Sequence, residues 1–204
     1  MAFIGLASEV KSQSNQVGID LKIMGLAKAV FLDRDGVLNE ALVRNGKPYP
    51  PSNRAELRII PAAYSVLQKL KLAGFKLVVV TNQPDVARGV VTRRWVEEIN
   101  EYLKDQLPLD AFKVCFHDDL DGCSCRKPLP GALIEAATEF KIDLGLSYMV
   151  GDRWKDISAG KAAGCKSIFI DYGYLEKQPT DYDFVVNDLS EIEEIILGEK
   201  GEKN

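Results

Sequence analysis

Residues 28–39 read KAVFLDRDGVLN, and this stretch decides the fold. Its first five residues, KAVFL, are mostly apolar and are typical of a strand that is buried on both faces. Two carboxylates, Asp33 and Asp35, follow directly where the apolar run stops, and Gly36 allows the chain to turn sharply. Acids at such a strand end can hold a hard cation or divide nucleophilic and acid–base roles. For this stretch alone, a solvated Asp-Gly turn is an equal alternative.

Five further apolar runs alternate with helical patterns along the rest of the chain. The predicted strands are Lys28–Leu32, Leu77–Val80, Ala111–Phe116, Tyr148–Val150, Lys166–Ile170 and Phe184–Val186. The predicted helices are Pro61–Ala73, Thr92–Gln106, Leu133–Phe140, Ile157–Ala163 and a last helix that begins at a capping box of Ser190 and Glu193. This alternation predicts an α/β fold, a Rossmann-like parallel sheet with helices on both faces. Such sheets bind ligands at the carboxyl ends of their strands.

Polar side chains suited to phosphate chemistry follow three later strands. Thr81–Gln83 offers a hydroxyl and neighbouring backbone N–H groups, but alone this signal is weak, since Thr-Asn at a strand end is usually a turn or a helix cap. Arg126 and Lys127 are adjacent cations, of which Lys suits a phosphoryl group and Arg a second anionic or polar group. Asp152 follows the fourth strand, where another metal ligand is needed. Asp156 is a helix N-terminal acid or a support behind the metal, and we favour the second interpretation.

Three of the four cysteines and the single histidine lie close together in sequence. Cys115, His117, Cys123 and Cys125 fall within eleven residues of one another. In a chain without a secretion signal, such clustering favours metal over disulfides. Four nitrogen and sulfur ligands suit tetrahedral Zn²⁺ and leave no open position, so this zinc would be structural. Isolated thiols near a chance histidine are the alternative. Cys165 lies apart and is predicted to be a core residue.

Composition limits the classes of function. A chain of 204 residues with a hydrophobic fraction of 46% suits one domain with a real core. The net charge is −4 and no basic stripe is present, which argues against a nucleic-acid partner. The chain has neither a long apolar run nor a signal-peptide pattern, so we expect a cytoplasmic protein without a membrane span. The expected division is an extension of uncertain structure (1–27), the α/β domain (28–197) and a frayed tail (198–204).

Four segments in order resemble the motifs of the haloacid dehalogenase-like (HAD) phosphatases. These are Asp33–Asn39, Thr81–Gln83, Arg126–Pro128 and Gly151–Arg153. The resemblance covers residues 28–187. Within the family, Thr81–Gln83, Ala87–Gly89 and Cys125–Pro128 are most similar to the branch that contains heptose bisphosphate phosphatases and histidinol-phosphatases. That branch also carries a Cys-x-His…Cys-x-Cys zinc loop, which strengthens the zinc prediction.

The resemblance implies a Mg²⁺-dependent phosphatase that works through a phospho-aspartate. By this resemblance Asp33 is the nucleophile, and Asp35 protonates the leaving oxygen and then activates water. Mg²⁺ would be held by Asp33, the backbone carbonyl of Asp35 and Asp152. Thr81 and Lys127 would bind the transferring phosphoryl group. The implied substrate-binding residues are Arg34, Asn82, Gln83, Arg126 and Arg153.

The motif spacing leaves little room for an inserted cap domain. Forty-six positions separate Asp35 from Thr81, and the same number separate Thr81 from Lys127. Each interval must hold a helix and a strand. In this family such caps contact and select the substrate, so in this chain we expect loops to recognise it. These are the zinc loop, Glu40–Ile59 with its basic, Pro-rich part Arg44–Pro51, and Pro84–Val91.

A small phosphorylated metabolite is the expected partner, and heptose 1,7-bisphosphate is the best single substrate. Histidinol phosphate or another sugar phosphate stays open, because Pro84-Asp85 and Ala41–Val43 depart from the heptose phosphatase pattern. A polynucleotide 3′-phosphatase shares the first motif, but the acidic charge balance argues against it. A non-catalytic binding module is an alternative of a different class, which the intact acids and lysine of the motifs disfavour.

Overall fold

A computed structural model of the protein describes residues 25–198, so most of the expected extension and the tail from residue 199 lie outside it. The described strands are β1 (Lys28–Leu32), β2 (Leu42–Arg44), β3 (Lys47–Tyr49), β4 (Phe75–Asn82), β5 (Ala111–Cys115), β6 (Tyr148–Gly151), β7 (Lys166–Ile170) and β8 (Phe184–Val186). The described α-helices are α1 (Ala63–Leu72), α2 (Arg93–Gln106), α3 (Gly131–Phe140), α4 (Trp154–Ala163) and α5 (Ile192–Gly198). Over this part of the chain, none of the helices has the length and apolar character needed to cross a membrane.

Six strands form one parallel sheet in the order β5-β4-β1-β6-β7-β8. β1 lies between β4 and β6, and Val30 pairs with Leu77 on one side and with Tyr148 on the other. The chain builds outward from β1 in one direction and then returns to build in the other. This reversal places a topological switch point beside β1, where open α/β sheets bind ligands. The predicted Rossmann-like parallel sheet is confirmed.

The two faces of the sheet are both covered because side chains alternate along each strand. Val30 and Leu32 of β1 belong to a buried cluster that includes residues of α1, α2 and α5. Ala29 and Phe31 belong to a second cluster with residues of α3 and α4. Both faces of β1 are therefore apolar, which explains its continuous hydrophobic run. Cys165 lies in the second cluster and is a core residue, as predicted.

Most element boundaries lie within two residues of the sequence prediction, but the helix predicted from Ile157 begins at Trp154, and the start of the last helix differs too. Thr92 caps α2 by accepting a hydrogen bond from the backbone N–H of Trp95. The predicted capping box of Ser190 and Glu193 is wrong. Asp188 is the capping residue instead, and Glu191 completes the box. A short 3₁₀ turn, Leu189–Glu191, precedes α5 and moves the cap two residues upstream.

The segment predicted as a Pro-rich loop folds into a β-hairpin. β2 and β3 pair antiparallel around Asn45 and Gly46, which both have positive φ, 53° and 74°. Asn-Gly is the usual signal for a tight hairpin turn, and the sequence prediction missed it. The carbonyl of Gly46 accepts a hydrogen bond from the N–H of Leu175, at 2.7 Å, which fixes the hairpin over the sheet edge. Between β1 and α1 the chain forms this hairpin and no cap domain, so the predicted capless architecture is confirmed.

Candidate active site

The turn after β1 is held by its own backbone. The carbonyl of Arg34 accepts hydrogen bonds from the N–H groups of Leu38 (2.9 Å) and Asn39 (3.2 Å), and Gly36 donates to the carbonyl of Asn39 (2.7 Å). Gly36 has a φ of +92°, which L-residues rarely adopt. A Cβ at this position would overlap the carboxylate of Asp152. The glycine therefore allows the loop after β1 to approach the loop after β6.

Replacing Gly36 with Ala should destabilise the protein by about 2–4 kcal/mol, because left-handed backbone strain adds to a steric clash. Urea unfolding measures the effect. Gly74→Ala is the matched control, since Gly74 has a φ of +85° but a Cβ there would meet nothing within 4 Å. The control should lose only about 1 kcal/mol from backbone strain. Equal losses in the two variants would contradict the close approach to Asp152.

Three buried carboxylates meet at the carboxyl edge of the sheet. One carboxylate oxygen from each of Asp33, Asp152 and Asp156 lies within 4.8 Å of the others. Both carboxylate oxygens of Asp152 are buried and have no hydrogen-bond partner of normal distance and angle among residues 25–198, although the nearby Tyr174 hydroxyl partly favours the charged form. Burial raises the pKa of Asp33 to about 6, and burial followed by the neighbouring charges raises the pKa of Asp152 well above its ordinary value. Buried carboxylates without donors fit a hard divalent cation.

Lys127 supplies the positive charge of the cluster. Its Nζ lies 2.7 Å from Oδ1 of Asp33, 2.6 Å from Oδ1 of Asp156 and 2.6 Å from the carbonyl oxygen of Val80. Asn82 holds the backbone of Lys127 through two hydrogen bonds of 2.9 and 3.1 Å. Burial lowers the pKa of Lys127, but Asp156 and Asp33 outweigh this effect and leave the pKa above its ordinary value. The ammonium is therefore charged and fixed beside Asp33.

The Asp35 carboxylate is held by donors on three side chains. Arg34 donates to it, the shortest bond measuring 2.9 Å, Asn39 donates at 3.0 Å and Gln83 at 2.8 Å. The same amide nitrogen of Gln83 lies 2.9 Å from the hydroxyl oxygen of Thr81. The sequence prediction assigned no role to Asn39. Its side chain fixes Asp35 at the edge of the cavity.

A cavity of about 250 Å³ opens above these groups. Asp33, Asp35, Thr81 and Lys127 line it together with Asn82, Gln83 and Arg153. Its other charged lining residues include Lys47, Arg88, Lys155, Asp85, Asp156 and Glu176. Arg153 pairs with Glu176, and Arg88 pairs with Asp118 of the zinc loop. Cations around a buried carboxylate cluster suit an anionic ligand of small size.

Two predicted substrate residues do not line the cavity. Arg34 is fully buried and turns into the core. Arg126 is also buried, donating from Nε to Asp119 at 2.7 Å and from Nη1 to the carbonyl of His117 at 3.2 Å. Neither arginine lines the cavity in this structure, so their contact with substrate stays a prediction. Their direction depends on neighbours that are distant in sequence.

The predicted zinc ligands converge in space. The distances between donor atoms are 3.7 Å for Cys115–His117, 3.7 Å for Cys115–Cys123, 3.5 Å for Cys123–Cys125 and 3.4 Å for Cys125–His117. All four residues belong to one compact ligand set, and none of the cysteines is in a disulfide. Ligand bonds of about 2.0–2.3 Å around a tetrahedral ion would give donor separations of about 3.4–3.8 Å. The set therefore fits zinc.

Comparisons with known proteins agree with this geometry. A model of the HAD-hydrolase-like family matches residues 124–192. A D-glycero-beta-D-manno-heptose-1,7-bisphosphate 7-phosphatase of Pasteurella multocida (strain Pm70) is 32% identical over 189 residues, 86% of this chain and 100% of the relative. The enzyme of the same name from Escherichia coli (strain K12) is 37% identical over 147 residues, 66% of this chain and 74% of the relative.

A solved structure shows the same fold with ligands bound. The D,D-heptose 1,7-bisphosphate phosphatase from B. bronchiseptica, complexed with magnesium and phosphate, aligns with a TM-score of 0.70 and 29% identity. The alignment covers 84% of this chain and 99% of that one. With a relative matched along its whole length and a shared fold, this chain belongs to the haloacid dehalogenase-like phosphatases, in the family of the heptose bisphosphate phosphatases.

Proposed function

We propose that this protein hydrolyses D-glycero-D-manno-heptose 1,7-bisphosphate at its 7-phosphate, with Asp33 as the nucleophile. The observation that carries the proposal is the buried Asp33 carboxylate, which lines the cavity, pairs with Lys127 and lies beside the buried Asp152. The named relatives support the substrate, because their names state this activity. Family membership favours an enzyme over the non-catalytic binding module.

Asp33, Asp152 and the backbone carbonyl of Asp35 would hold Mg²⁺. Asp156 already uses both oxygens, since Oδ1 contacts Lys127 at 2.6 Å and Oδ2 accepts from the N–H of Arg153 at 3.0 Å. This engagement favours a supporting role for Asp156 behind the metal. When bound, Mg²⁺ would neutralise phosphoryl oxygens so that an anionic nucleophile can approach an anionic ester.

In the first step, a carboxylate oxygen of Asp33 attacks phosphorus. The new bond joins Asp33 to the phosphoryl group, and the bond between phosphorus and the sugar oxygen breaks. Asp35 gives its proton to that leaving oxygen. Lys127 and the Thr81 hydroxyl would bind the phosphoryl oxygens during transfer, since both line the cavity beside Asp33.

In the second step, water attacks the phosphorus of the aspartyl-phosphate. Asp35 accepts a proton from this water, and the bond between phosphorus and the Asp33 oxygen breaks. Inorganic phosphate leaves, Asp33 is again a carboxylate, and Asp35 again carries its proton. One residue thus serves as acid and then as base, which requires that its carboxyl group stay in a fixed position between the two steps.

A panel of phosphate esters tests the substrate. Heptose 1,7-bisphosphate, heptose 7-phosphate, fructose 1,6-bisphosphate and histidinol phosphate are compared by kcat/KM in Mg²⁺. The heptose bisphosphate should rank first by at least about tenfold, because polar groups built for one substrate penalise analogues that leave them unpaired. A first rank for histidinol phosphate would replace the proposed substrate with the alternative of the same branch. Absence of turnover for every ester would instead favour a binding module.

We also propose that Cys115, His117, Cys123 and Cys125 hold a structural Zn²⁺. Burial raises the pKa of Cys125 to about 12 in the absence of metal, so zinc must displace protons from thiols. The loop bears on the active site in two ways. Cys125 lies two residues before Lys127, and Asp118 pairs with Arg88 at the cavity mouth. Metal in the loop would therefore order residues that line the cavity.

Replacing Cys123 with Ser should reduce bound zinc from about one ion per chain to a small fraction, because a four-ligand site loses a thiolate. Metal analysis by mass spectrometry measures the loss, and the thermal midpoint should fall with it. kcat/KM in added Mg²⁺ should decrease although Asp33 is untouched. Cys165→Ala is the control, since Cys165 lies outside the ligand set and should keep full zinc. Full zinc in the Cys123 variant would refute the site.

A further inference from the structure

We propose that Arg34 and Asn100 act as a positioning pair that holds the Asp35 carboxyl group in line with the leaving oxygen. The inference rests on the proposed role of Asp35 as proton donor and acceptor. Among the residues that the structure describes, Arg34 is the largest side chain that is fully buried, with 0% exposure. No phosphate or sugar group in the cavity can reach it directly, since it does not line the cavity. Its charge must therefore act through another residue.

The guanidinium of Arg34 bridges Asp35 and helix α2. Nη2 lies 2.9 Å from Oδ2 of Asp35 and 3.2 Å from Oδ1, and Nε lies 3.3 Å from Oδ1. Nη1 donates to Oδ1 of Asn100 at 3.2 Å. A planar fork that contacts both oxygens fixes the plane of a carboxylate as well as its place. Asn39 and Gln83 each contact one oxygen through one flexible amide, whereas the guanidinium contacts both oxygens from one rigid plane.

Asn100 gives the arginine a fixed support. It is buried on α2, between Ile99 and Leu103, which both belong to the core cluster under this helix. Its acceptor oxygen therefore moves only if α2 moves. Because Asn100 takes one end of the guanidinium, the opposite edge of Arg34 is aimed at Asp35. The pair links the general acid to the core of the sheet.

The burial of Arg34 is not explained by stability alone. An apolar side chain of similar volume could fill the same space without the desolvation cost of a charge. Asp35 would still accept hydrogen bonds from Asn39 and Gln83 if Arg34 were absent. Loss of the arginine should therefore keep the carboxyl group at the cavity but loosen its orientation, because the two remaining amides are not held in one rigid plane. The expected result is a defect in proton transfer more than a defect in binding.

Esters with different leaving groups separate these effects. A sugar oxygen leaves as an alkoxide unless it is protonated, so it depends on a well-placed Asp35. The p-nitrophenolate of p-nitrophenyl phosphate is a stable anion and leaves without a proton. The ratio kcat/KM, which reports the steps up to ester cleavage, should therefore fall for the sugar phosphate only. The later hydrolysis of the aspartyl-phosphate also uses Asp35, so p-nitrophenyl phosphate should show a burst of one product per site followed by slow turnover.

The decisive variant is Arg34→Met in the full chain with Mg²⁺ and zinc. Its kcat/KM for the heptose bisphosphate should fall about 10- to 100-fold, part of the usual contribution of general acid catalysis. Its kcat/KM for p-nitrophenyl phosphate should change less than about threefold. Asn100→Ala should show the same selective loss at a smaller size. Arg34→Lys should stay impaired, because a point charge lacks the planar fork.

Arg94→Met is the control, since Arg94 is an exposed residue of the same helix and pairs only with Glu98 among the described residues. It should match wild type with both esters. An equal fall for both esters in a folded Arg34→Met protein would overturn the proposal. If Arg34→Met does not fold, the same ratio in Asn100→Ala decides. A wild-type protein that hydrolyses neither ester in Mg²⁺ would instead overturn the proposed function, on which this inference rests.

Discussion

Replacing Asp33 with Asn should lower kcat/KM for the heptose bisphosphate by at least about 10³-fold and leave the protein folded. The amide keeps the shape of the side chain but cannot form the acyl phosphate. Asp33 is 7% exposed and lies at the end of the central strand, so no nearby side chain can replace it without moving the sheet. Lys127 keeps its contact with Asp156 in the variant, so its charge stays compensated.

The measurement combines steady-state kinetics with acid-quench trapping of the phosphoenzyme. Wild type should retain labelled phosphate on Asp33 after a rapid quench, and the Asn variant should retain none. Glu97→Gln is a matched control, because Glu97 is an exposed acid that pairs with Arg93 on α2. It should keep wild-type activity. Substantial turnover by the Asn variant, or label on another residue, would show that Asp33 is not the nucleophile.

Replacing Asp152 with Asn should have opposite effects on stability and activity. Neither oxygen of this buried carboxylate has a well-formed hydrogen bond within residues 25–198, and burial raises its pKa well above the ordinary value although Tyr174 and Arg153 oppose the rise. The variant should raise the free energy of unfolding of the magnesium-free protein by about 1–3 kcal/mol near pH 7, because a neutral amide costs less to bury. It should also lose the rise in thermal midpoint on adding Mg²⁺, and at least about 10³-fold of activity.

The pH dependence of stability gives an independent readout for Asp152. The pKa of Asp33 is raised from 3.8 to about 6, and that of Asp152 is raised well above 3.8. Each folded-state pKa exceeds its unfolded value, so the folded state binds more protons, and stability present near pH 4 is lost as the pH rises through about 6 and above. Without magnesium, wild type should therefore unfold at lower urea at pH 8 than at pH 5.

The Asn variant should show a weaker pH dependence than wild type over the same range. Added Mg²⁺ should restore the stability of wild type at pH 8 but leave the variant unchanged. Asp183→Asn provides a comparison, because Asp183 is satisfied by Ser167 and Lys161 and its pKa is lowered. This comparison variant should lose stability above its low pKa. An Asp152 variant that is less stable than wild type without metal would contradict the buried, uncompensated charge.

The strands, and the catalytic residues that follow them along the chain, could be predicted from the sequence because both signals are local. The run KAVFL is apolar at every position except its first residue, and such a run predicts a strand that helices cover on both faces. β1, β7 and β8 occur with the predicted bounds. Because parallel strands end at one edge, the acids after β1 and β6 and the threonine at the end of β4 meet there. The convergence of the zinc ligands also followed from their short spacing.

Other features depended on interactions between distant segments. The sequence gives no direction for Arg34 or Arg126; Arg34 turns toward the buried Asn100, and Arg126 turns toward Asp119 and the carbonyl of His117. Lys47 and Glu176 reach the cavity only because the β2–β3 hairpin and the loop after β7 meet at the hydrogen bond between Gly46 and Leu175. The local sequence pattern cannot predict such contacts between distant loops. They depend on which surfaces stay exposed after the helices have packed against the sheet.

The sequence by itself determined a parallel α/β sheet with acids at its central strand end and a cluster of four potential metal ligands, because periodicity and short spacing are properties of neighbouring residues. Only the tertiary structure decided which polar groups face the cavity and which form hydrogen bonds inside the protein. It left Asp152 without a well-formed hydrogen bond within residues 25–198 and gave Asp35 three side chains that donate to it. Burial and partner choice are set by the whole packed chain, so these properties arise only when the fold is complete.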